Sequence, residues 1–562
     1  MKKAISWLLT LTLAFTCLIP VFSAAAANYT VPISNEGKRV VVMLSGDGDA
    51  LYDKDGNRLF KFTDMLTRIN NATELNKDED DEDDEGDNTE LFESIANVLM
   101  PFLLQGMLHD DWEPYYENLQ KEIAELTEGL QLDENGNVVN GSGISPQRAA
   151  TNLYNTTHEN KNGPYNSDSY HFWYDWRKDP LESADELHTY LEKVRAMTGK
   201  QEVSLLGRCL GNNVIAAYIY KYGLDGIAGV GIDGTVSYGA EFISESISGK
   251  FHVDGKAIER LLNDSNSLGR MHLDPFILAT LNLAEESGLI DTVVGVTKEK
   301  LYSKVVEGVT SALSLATFFT MPCYWACVKP ADFEDAKNYV FGPEGSEKRQ
   351  QYAGLIAKID NYQYNVRANM DSILQSIPAS GKKIAVISKY GFQIVPICQS
   401  SACVSDQYAS VASSSFGATT SDIFTRLDED YINTRIAEGK GKYISPDKMI
   451  DASTCLFPDY TWFTKNISHS VWTWTENALL YTVITADRQY TVDDLVTTQF
   501  MVMDENGNVV PMTVDNCDTE RWEVKEETTG GNAHVHRTFR FLASFITWIK
   551  YLAAFVKAKL AK

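Results

Sequence analysis

The chain has 562 residues and a formal net charge of -27 at pH 7. Because the phosphates of nucleic acids require a basic surface, this charge argues against nucleic acid as a partner. The length exceeds that of one ordinary domain but suits a single large sheet with long insertions, and it permits a sizeable core.

The N-terminus has the pattern of a secretory signal peptide. Residues 1–3 carry positive charge, residues 4–22 are mostly apolar and residues 23–27 are small, which predicts a signal peptide over residues 1–27. We therefore expect a secreted or extracytoplasmic protein, in a compartment that permits disulfides. Of eight cysteines, Cys17 lies in this segment, and the odd number that follows leaves at least one thiol unpaired. No later segment is long and apolar enough to span a membrane.

An early apolar strand, predicted over residues 38–44, runs into the glycine loop Ser-Gly-Asp-Gly-Asp at residues 45–49. In a sheet that places its nucleophile on a later turn, the backbone N–H after the first glycine of such a loop supplies an oxyanion donor. The predicted donor is Asp47, and a plain hairpin is the alternative. Residues 61–162 then interrupt the sheet as a lid-like insertion, whose acidic run at residues 78–87 predicts a disordered loop, with calcium binding as the alternative.

After this insertion, strands alternate with helices. A strand over residues 169–174 is followed by a helix in which apolar residues recur every three or four positions and which ends at Gly199. Strands over residues 203–206 and 227–232 flank a second helix, which reaches Tyr222. This β-α-β order predicts an α/β fold with a mostly parallel sheet.

The turn at residues 207–211, Gly-Arg-Cys-Leu-Gly, has the features of a nucleophile elbow. It joins a buried strand to an amphipathic helix, and its two glycines leave room for a tight turn that exposes the central residue. Cys209 is the predicted nucleophile, and the N–H of Leu210 at the helix N-terminus is a predicted oxyanion donor. The alternative is a buried structural cysteine, because Gly-x-Cys-x-Gly has no metal-ligand or redox spacing of its own.

The second half of the chain adds a cap and then returns to the sheet. Residues 240–380 are mostly helical and form the predicted cap, and residues 383–388 form a buried strand. A small β appendage is predicted over residues 496–530. Residues 537–562 predict a basic amphipathic helix, of which residues 540–562 suit contact with a membrane surface; packing on its own domain or on a partner chain is the alternative.

Four segments resemble the lecithin:cholesterol acyltransferase-like branch of the α/β-hydrolases. They are the elbow, the glycine loop, the sequence Tyr-Asp-Trp-Arg at residues 174–177, and residues 321–330, which are similar to the family's Pro-Ser-x-x-Trp lid segment. The resemblance implies that Tyr324 and Trp325 contact substrate, although packing onto the sheet explains the same residues equally well. We assign the α/β-hydrolase core to residues 28–60, 163–239 and 381–495.

The family's order of nucleophile, acid and histidine implies a catalytic triad. Residues 405–411 resemble the family's acidic turn, which begins Asp-Gly-x-Val, so Asp406 is the implied acid and Asp422 is the alternative. His469 ends an aromatic stretch that is similar to the family's approach to its histidine. The implied triad is therefore Cys209, His469 and Asp406, with cysteine where the family has serine.

The resemblance implies an enzyme that hydrolyses lipid-like acyl esters or transfers their acyl group, without a metal or a cofactor. Cys323 and Cys327 lack the further His or Cys partners that a zinc site needs. The chain departs from the family at residues 208–212, where the family's elbow reads His-Ser-Met-Gly-Gly, and Arg208 adds charge where substrate is expected to enter. The alternative function is that of a catalytically inactive surface or binding protein with the same fold.

Overall fold

The structure is a computed structural model, and part of the chain is described. The described residues are 39–46, 51–56, 58–60, 109–139, 141–144, 154–156, 167–250, 311–312, 314–394, 398–495, 497–504 and 506–517, with single positions from 102 to 106 and from 304 to 308. The predicted signal peptide, the acidic run at residues 78–87, Asp47 and the helix over residues 537–562 lie outside the described residues.

A nine-stranded sheet forms the centre of the fold. In spatial order its strands are β5 (Tyr154–Thr156), β6 (Ser167–His171), β1 (Arg39–Leu44), β7 (Val203–Arg208), β8 (Ile227–Asp233), β9 (Lys383–Tyr390), β14 (Thr461–Lys465), β15 (Phe500–Met503) and β16 (Val509–Pro511). All neighbouring pairs are parallel except the two edge pairs, β5 with β6 and β15 with β16. The predicted α/β fold with a mostly parallel sheet is confirmed.

Three smaller sheets lie beside this one. One consists of β2 (Leu51–Tyr52), β3 (Arg58–Phe60) and β4 (Gly143–Ile144). The other two are pairs, β10 (Phe392–Gln393) with β11 (Val404–Ser405), and β12 (Thr419–Thr420) with β13 (Ile450–Asp451).

Helices cover the sheet and build the cap. The α-helices of the described residues are α1 (Glu113–Leu126), α2 (Pro180–Thr198), α3 (Gly211–Tyr222), α4 (Glu241–Ile247), α5 (Pro322–Trp325), α6 (Phe333–Phe341), α7 (Glu347–Gln351), α8 (Ala353–Asn361), α9 (Met370–Ala379), α10 (Val411–Ser414), α11 (Glu429–Ala437) and α12 (Trp474–Thr485). A π-helical turn, Tyr362–Val366, follows α8. No helix of this described part combines the length and the apolar character that crossing a membrane requires.

The bounds of α2 follow from its sequence. The Asp179 carboxylate accepts a hydrogen bond from the Leu181 N–H, and Pro180 occupies the first helical position, where no backbone donor is needed. The helix ends at Gly199, whose φ of 69° lies in the left-handed region that favours glycine. As the apolar spacing predicts, the buried face includes Leu187 and Leu191.

Three short segments pair with strands outside the domains predicted for them. In the predicted core, β2 pairs with β3 and with β4 of the predicted insertion, whereas β5 of that insertion is an edge strand of the main sheet. The strands of the predicted appendage, β15 and β16, also extend the main sheet, because β15 is apolar and pairs in parallel with β14. Short strands of this kind join whichever edge tertiary packing leaves open.

Candidate active site

The turn between β7 and α3 has the geometry of a nucleophile elbow. Cys209 has a φ of 48°, a strained value for a residue other than glycine. A Cβ atom at Gly207 would lie 2.3 Å from Oδ1 of Asn212, and one at Gly211 would lie 2.5 Å from the carbonyl oxygen of Leu44. Both glycines are therefore required by the close approach of the helix to the sheet.

The end of β8 anchors this turn. The carbonyl oxygen of Asp233 accepts hydrogen bonds from the backbone N–H of Cys209 and from the side-chain amide of Asn212, each at 3.2 Å. The same amide also donates to the carbonyl oxygen of Cys209 at 3.3 Å. Asn212, which departs from the family's second glycine, thus fastens the elbow, a role that the sequence pattern did not indicate.

The predicted oxyanion loop lies against the nucleophile. A Cβ atom at Gly46 would lie 2.6 Å from Cβ and 3.1 Å from Sγ of Cys209. The Tyr174 hydroxyl donates to the carbonyl oxygens of Ser45, at 2.7 Å, and Gly46, at 3.1 Å. Within the described part of the chain, no hydrogen bond uses the backbone N–H of Leu210, so this donor is available to an oxyanion.

Asp406 and His469 form a buried pair. The carboxylate oxygen Oδ2 of Asp406 lies 2.7 Å from Nδ1 of His469, and the backbone N–H of His469 donates to the Asp406 carbonyl oxygen at 2.9 Å. The other carboxylate oxygen accepts the backbone N–H groups of Tyr408, at 3.0 Å, and Ala409, at 2.9 Å. These bonds fix both the carboxylate and the orientation of the imidazole ring.

The pKa values of this pair are shifted in opposite directions, and Cys209 contributes to the shift of His469. Burial alone would raise the pKa of Asp406, but His469 and the two backbone N–H groups outweigh burial and lower it. Burial would likewise lower the pKa of His469, but the Asp406 carboxylate and then the Cys209 sulfur outweigh burial and hold it well above 6.5. Among the described residues, Nε2 of His469 has no partner in good hydrogen-bond geometry, and such bonds are often long before substrate binds.

The acidic turn lacks the glycine of the family pattern but keeps a backbone conformation that favours glycine. Gln407 follows Asp406 with a φ of 92°, so it occupies a backbone conformation that favours the family's glycine. The alternative acid, Asp422, is exposed, and its backbone bridges to Cys403 instead of approaching His469. The structure therefore brings Cys209, Asp406 and His469 together and leaves Asp422 outside the site.

A buried glutamate ties the acidic turn to the cap. Glu241, at the start of α4, accepts hydrogen bonds from the Ser410 N–H at 2.7 Å and the Ser410 hydroxyl at 2.6 Å. Its carboxylate also pairs with Nζ of Lys329 at 2.5 Å. Because Lys329 belongs to the predicted lid segment, this carboxylate connects lid, cap and acid turn, a role that local sequence patterns did not reveal.

The expectation that Arg208 places charge at the substrate entrance is wrong. Its side chain is buried, with Nε 3.5 Å from Oδ2 of Asp233 and the guanidinium carbon 4.2 Å from the ring centre of Trp472. A buried cation needs an anionic partner, and the Asp233 carboxylate at the end of the neighbouring strand supplies it.

The two predicted lid residues have different surroundings. Trp325 is fully buried, donates from its indole N–H to the Phe319 carbonyl oxygen at 2.8 Å and stacks on Phe341. Packing therefore accounts for Trp325. Tyr324 is half-buried, stacks on Phe318 and packs against the apolar cluster that Cys209 also joins.

The Asp-Trp-Arg part of the Tyr-Asp-Trp-Arg motif holds the insertion onto the core. The buried guanidinium of Arg177 pairs with the carboxylate of Asp175 at 2.6 Å. It also donates to the carbonyl oxygen of Leu130 and to the hydroxyl of Ser142, each at 3.2 Å. The motif thus joins two parts of the chain in addition to supporting the glycine loop through Tyr174.

Cys209 packs against a buried apolar cluster of the cap. This cap cluster includes the buried residues Trp325 and Phe341. Other half-buried residues that pack against it are Phe242, Leu315, Tyr324, Tyr352 and Ile356. Burial raises the pKa values of Cys323 and Cys327 well above 9.0, which favours the protonated thiol at both positions. No group of three or more potential metal ligands occurs among the side chains that the structure describes.

Comparisons with known proteins include a distant structural neighbour. No protein-family model and no curated protein matches the chain. Among solved structures, a chain in "The crystal structure of Tle4-Tli4 complex" matches with 13% sequence identity and a TM-score of 0.24, over 63% of this chain and 75% of that chain. A TM-score of this size does not identify a family, and the assignment of the fold depends on the strand order given above.

Proposed function

We propose that the protein is an exported α/β-hydrolase enzyme that hydrolyses lipid-like acyl esters, with Cys209 as nucleophile, His469 as acid and base, and Asp406 as the residue that orients His469. The observation that carries the proposal is the strained φ of Cys209 at the elbow together with the buried hydrogen bond between His469 and Asp406; the Cys209 sulfur also contributes to the raised pKa of His469. The resemblance to the lecithin:cholesterol acyltransferase-like family belongs to the same proposal.

The first half of the reaction forms a thioester. The Cys209 sulfur attacks the ester carbonyl carbon, and negative charge develops on the carbonyl oxygen near the N–H of Leu210 and the glycine loop. Collapse of this intermediate breaks the bond to the alcohol oxygen. The leaving alcohol takes from His469 the proton that the thiol gave up.

The second half of the reaction releases the acyl group. Water attacks the thioester carbonyl carbon, His469 accepts a proton from that water, and the sulfur departs as the carboxylic acid forms. An acceptor alcohol in place of water would give acyl transfer by the same steps. The raised pKa of His469 favours the protonated ring, which supports a main role as acid for the leaving alcohol.

The apolar cluster against which Cys209 packs supports an acyl chain as the group that binds. Phe242, Tyr324 and Tyr352 are only half-buried although they pack against the same cluster as the nucleophile. Apolar walls of this kind bind hydrocarbon through the hydrophobic effect, whereas a charged acyl group would lose its hydration there. We therefore expect turnover to rise from short to long acyl chains.

Ester turnover and cysteine alkylation together test the proposal. The purified full chain and the variants Cys209→Ala and His469→Ala are incubated with chromogenic esters of short, medium and long acyl chains. We expect each variant to lose at least about a thousand-fold in kcat/KM, because a triad without one member loses most of its rate.

Alkylation by iodoacetamide measures the thiol directly, and Cys403→Ala is the matched control. Cys403 is half-buried like Cys209, but burial raises its pKa to about 11. We expect Cys209 to be alkylated faster than Cys403, and Cys403→Ala to retain wild-type turnover. If ester turnover is absent or survives in Cys209→Ala, the enzymatic proposal is rejected and a binding function replaces it.

A further inference from the structure

A buried ion pair lies behind the elbow and takes no part in the proposed chemistry. Lys389, on β9, is fully buried, and its Nζ lies 2.9 Å from Oδ1 of Asp233 at the end of β8. The same Nζ donates to the carbonyl oxygen of Val471 at 2.9 Å. Burying a lysine is costly even when it is paired, so its presence at this point calls for a physical reason.

The strand order supplies that reason. Cys209 follows β7, and His469 follows β14, but β8 and β9 lie between these two strands. The distance between nucleophile and histidine therefore depends on contacts that cross two intervening strand ends. The Asp406–His469 hydrogen bond orients the imidazole but does not reach the elbow.

Lys389 connects the elbow of Cys209 with the loop of His469 across the ends of β8 and β9. Its anionic partner, Asp233, carries the carbonyl oxygen that accepts the backbone N–H of Cys209 at 3.2 Å. Its other partner, Val471, lies two residues after His469 in the same loop. One ammonium group thus contacts both the residue that anchors the elbow and the loop that carries the histidine.

The charged groups around Lys389 favour the position of its ammonium group beside Asp233. Asp233 also pairs with Arg208 at 3.5 Å, on the side of β7. On α12, Glu476 has a raised pKa because burial and then the Asp233 charge outweigh the effect of Lys389. Asp233 is therefore the main anion for two buried cations, and moving the ammonium away from it would leave a carboxylate with weaker pairing.

We propose that Lys389 is a positioning residue that sets the spacing between Cys209 and His469. The inference depends on the proposed function for its effect on turnover, but its effect on the reactivity of the Cys209 thiol can be measured without any substrate. In this arrangement Lys389 increases the rate by holding the Cys209 sulfur and the His469 ring at a fixed separation. It does not touch the substrate.

The test compares two lysines that make the same kind of buried contact. Lys465, on β14, pairs with Asp447 at 3.0 Å and donates to the carbonyl oxygen of Cys517 at 2.6 Å. Lys389→Met removes the ammonium group that contacts Asp233 and Val471, whereas Lys465→Met breaks a matched buried pair on β14. Both variants should lose comparable stability, since each leaves a buried carboxylate without its lysine.

We expect the two variants to differ in thiol reactivity. Lys389→Met should slow the alkylation of Cys209 by iodoacetamide at neutral pH and lower kcat for esters by about a hundred-fold, with KM almost unchanged, because a small misplacement of reacting groups has effects of this size. Lys465→Met should stay within about two-fold of the wild type in both measurements.

A double variant keeps the test decisive if Lys389→Met does not fold. Lys389→Met/Asp233→Asn removes both charges of this pair, and Asp233→Asn alone is its control, because either variant deprives Arg208 of its anion but only the double variant lacks the Lys389 ammonium. If this folded double variant alkylates and turns over ester like the wild type, the positioning role is overturned. If the wild type shows no ester turnover but the double variant still slows alkylation of Cys209, the positioning role stands while the proposed enzymatic function fails.

Discussion

Tyr174 shows how one side chain outside the triad can hold the oxyanion loop. Its buried hydroxyl donates to two consecutive carbonyl oxygens of the loop that abuts Cys209. Because both acceptors are backbone carbonyls, these two hydrogen bonds also orient the backbone N–H groups of the loop. The Tyr-Asp-Trp-Arg pattern drew attention to this residue, but only the structure shows which backbone atoms it contacts.

The variant Tyr174→Phe tests this role. Loss of the hydroxyl leaves two buried acceptors without a donor, so we expect a loss of about 1–3 kcal/mol in the free energy of unfolding. A loosened oxyanion loop should also lower kcat about ten-fold while KM changes little, a smaller effect than deleting a donor outright.

Tyr190→Phe is the matched control, because its hydroxyl also donates to a backbone carbonyl, that of His171, at 2.9 Å. The control should lose stability with little change in kcat. Equal effects of the two substitutions on kcat would contradict a specific role for Tyr174.

At the scale of elements, the strand, turn and helix around Cys209 act as one unit. The helix α3 starts so close to β1 that no side chain fits between them at Gly211. This contact sets both the exposure of Cys209 and the direction of the first N–H groups of the helix. Packing of the helix and geometry of the site therefore depend on each other.

Substitution Gly211→Ala tests that dependence. A new Cβ atom would lie 2.5 Å from the Leu44 carbonyl oxygen, so α3 must move away from β1. We expect a loss of about 1–3 kcal/mol in the free energy of unfolding, together with slower alkylation of Cys209. Gly143→Ala is the control, because a Cβ atom there meets nothing within 4 Å; alkylation slowed equally in both variants would refute the argument.

At the scale of the whole molecule, the His469–Asp406 pair links stability to pH. The pKa of His469 is raised, so its contribution is complete below 6.5 and is lost as pH rises through the raised value. The pKa of Asp406 is lowered, so its contribution is complete above 3.8 and is lost as pH falls through the lowered value. The pair therefore stabilises the fold most between pH 3.8 and 6.5.

Urea unfolding of the wild type and of the double variant Asp406→Asn/His469→Gln checks this dependence at mildly acidic, neutral and alkaline pH. We expect the difference in the free energy of unfolding between the two proteins to shrink from mildly acidic to alkaline conditions. A difference that stays constant, or grows with pH, would show that the pKa of His469 is not raised in the folded protein.

The fold and much of the candidate site were predictable because their signals are local. Apolar spacing placed the helix that ends at Gly199, and two glycines around Cys209 marked the elbow. Other features lacked a local signal. Residues 154–156 and 500–511 are too short to show which sheet they join, and the buried position of Arg208 depends on Asp233, a residue distant in sequence.

By itself, the sequence determined the α/β order and the turn at Cys209, because periodicity and glycine spacing are properties of short segments, and its resemblance to a known family supplied the candidates Asp406 and His469. Only the tertiary structure decided that these three residues come together and that Asn212 and Tyr174 hold the turn and the loop. It also decided that Lys389 contacts both Asp233 and the loop that carries His469. Such contacts join strands that are distant in sequence, so no local pattern contains them.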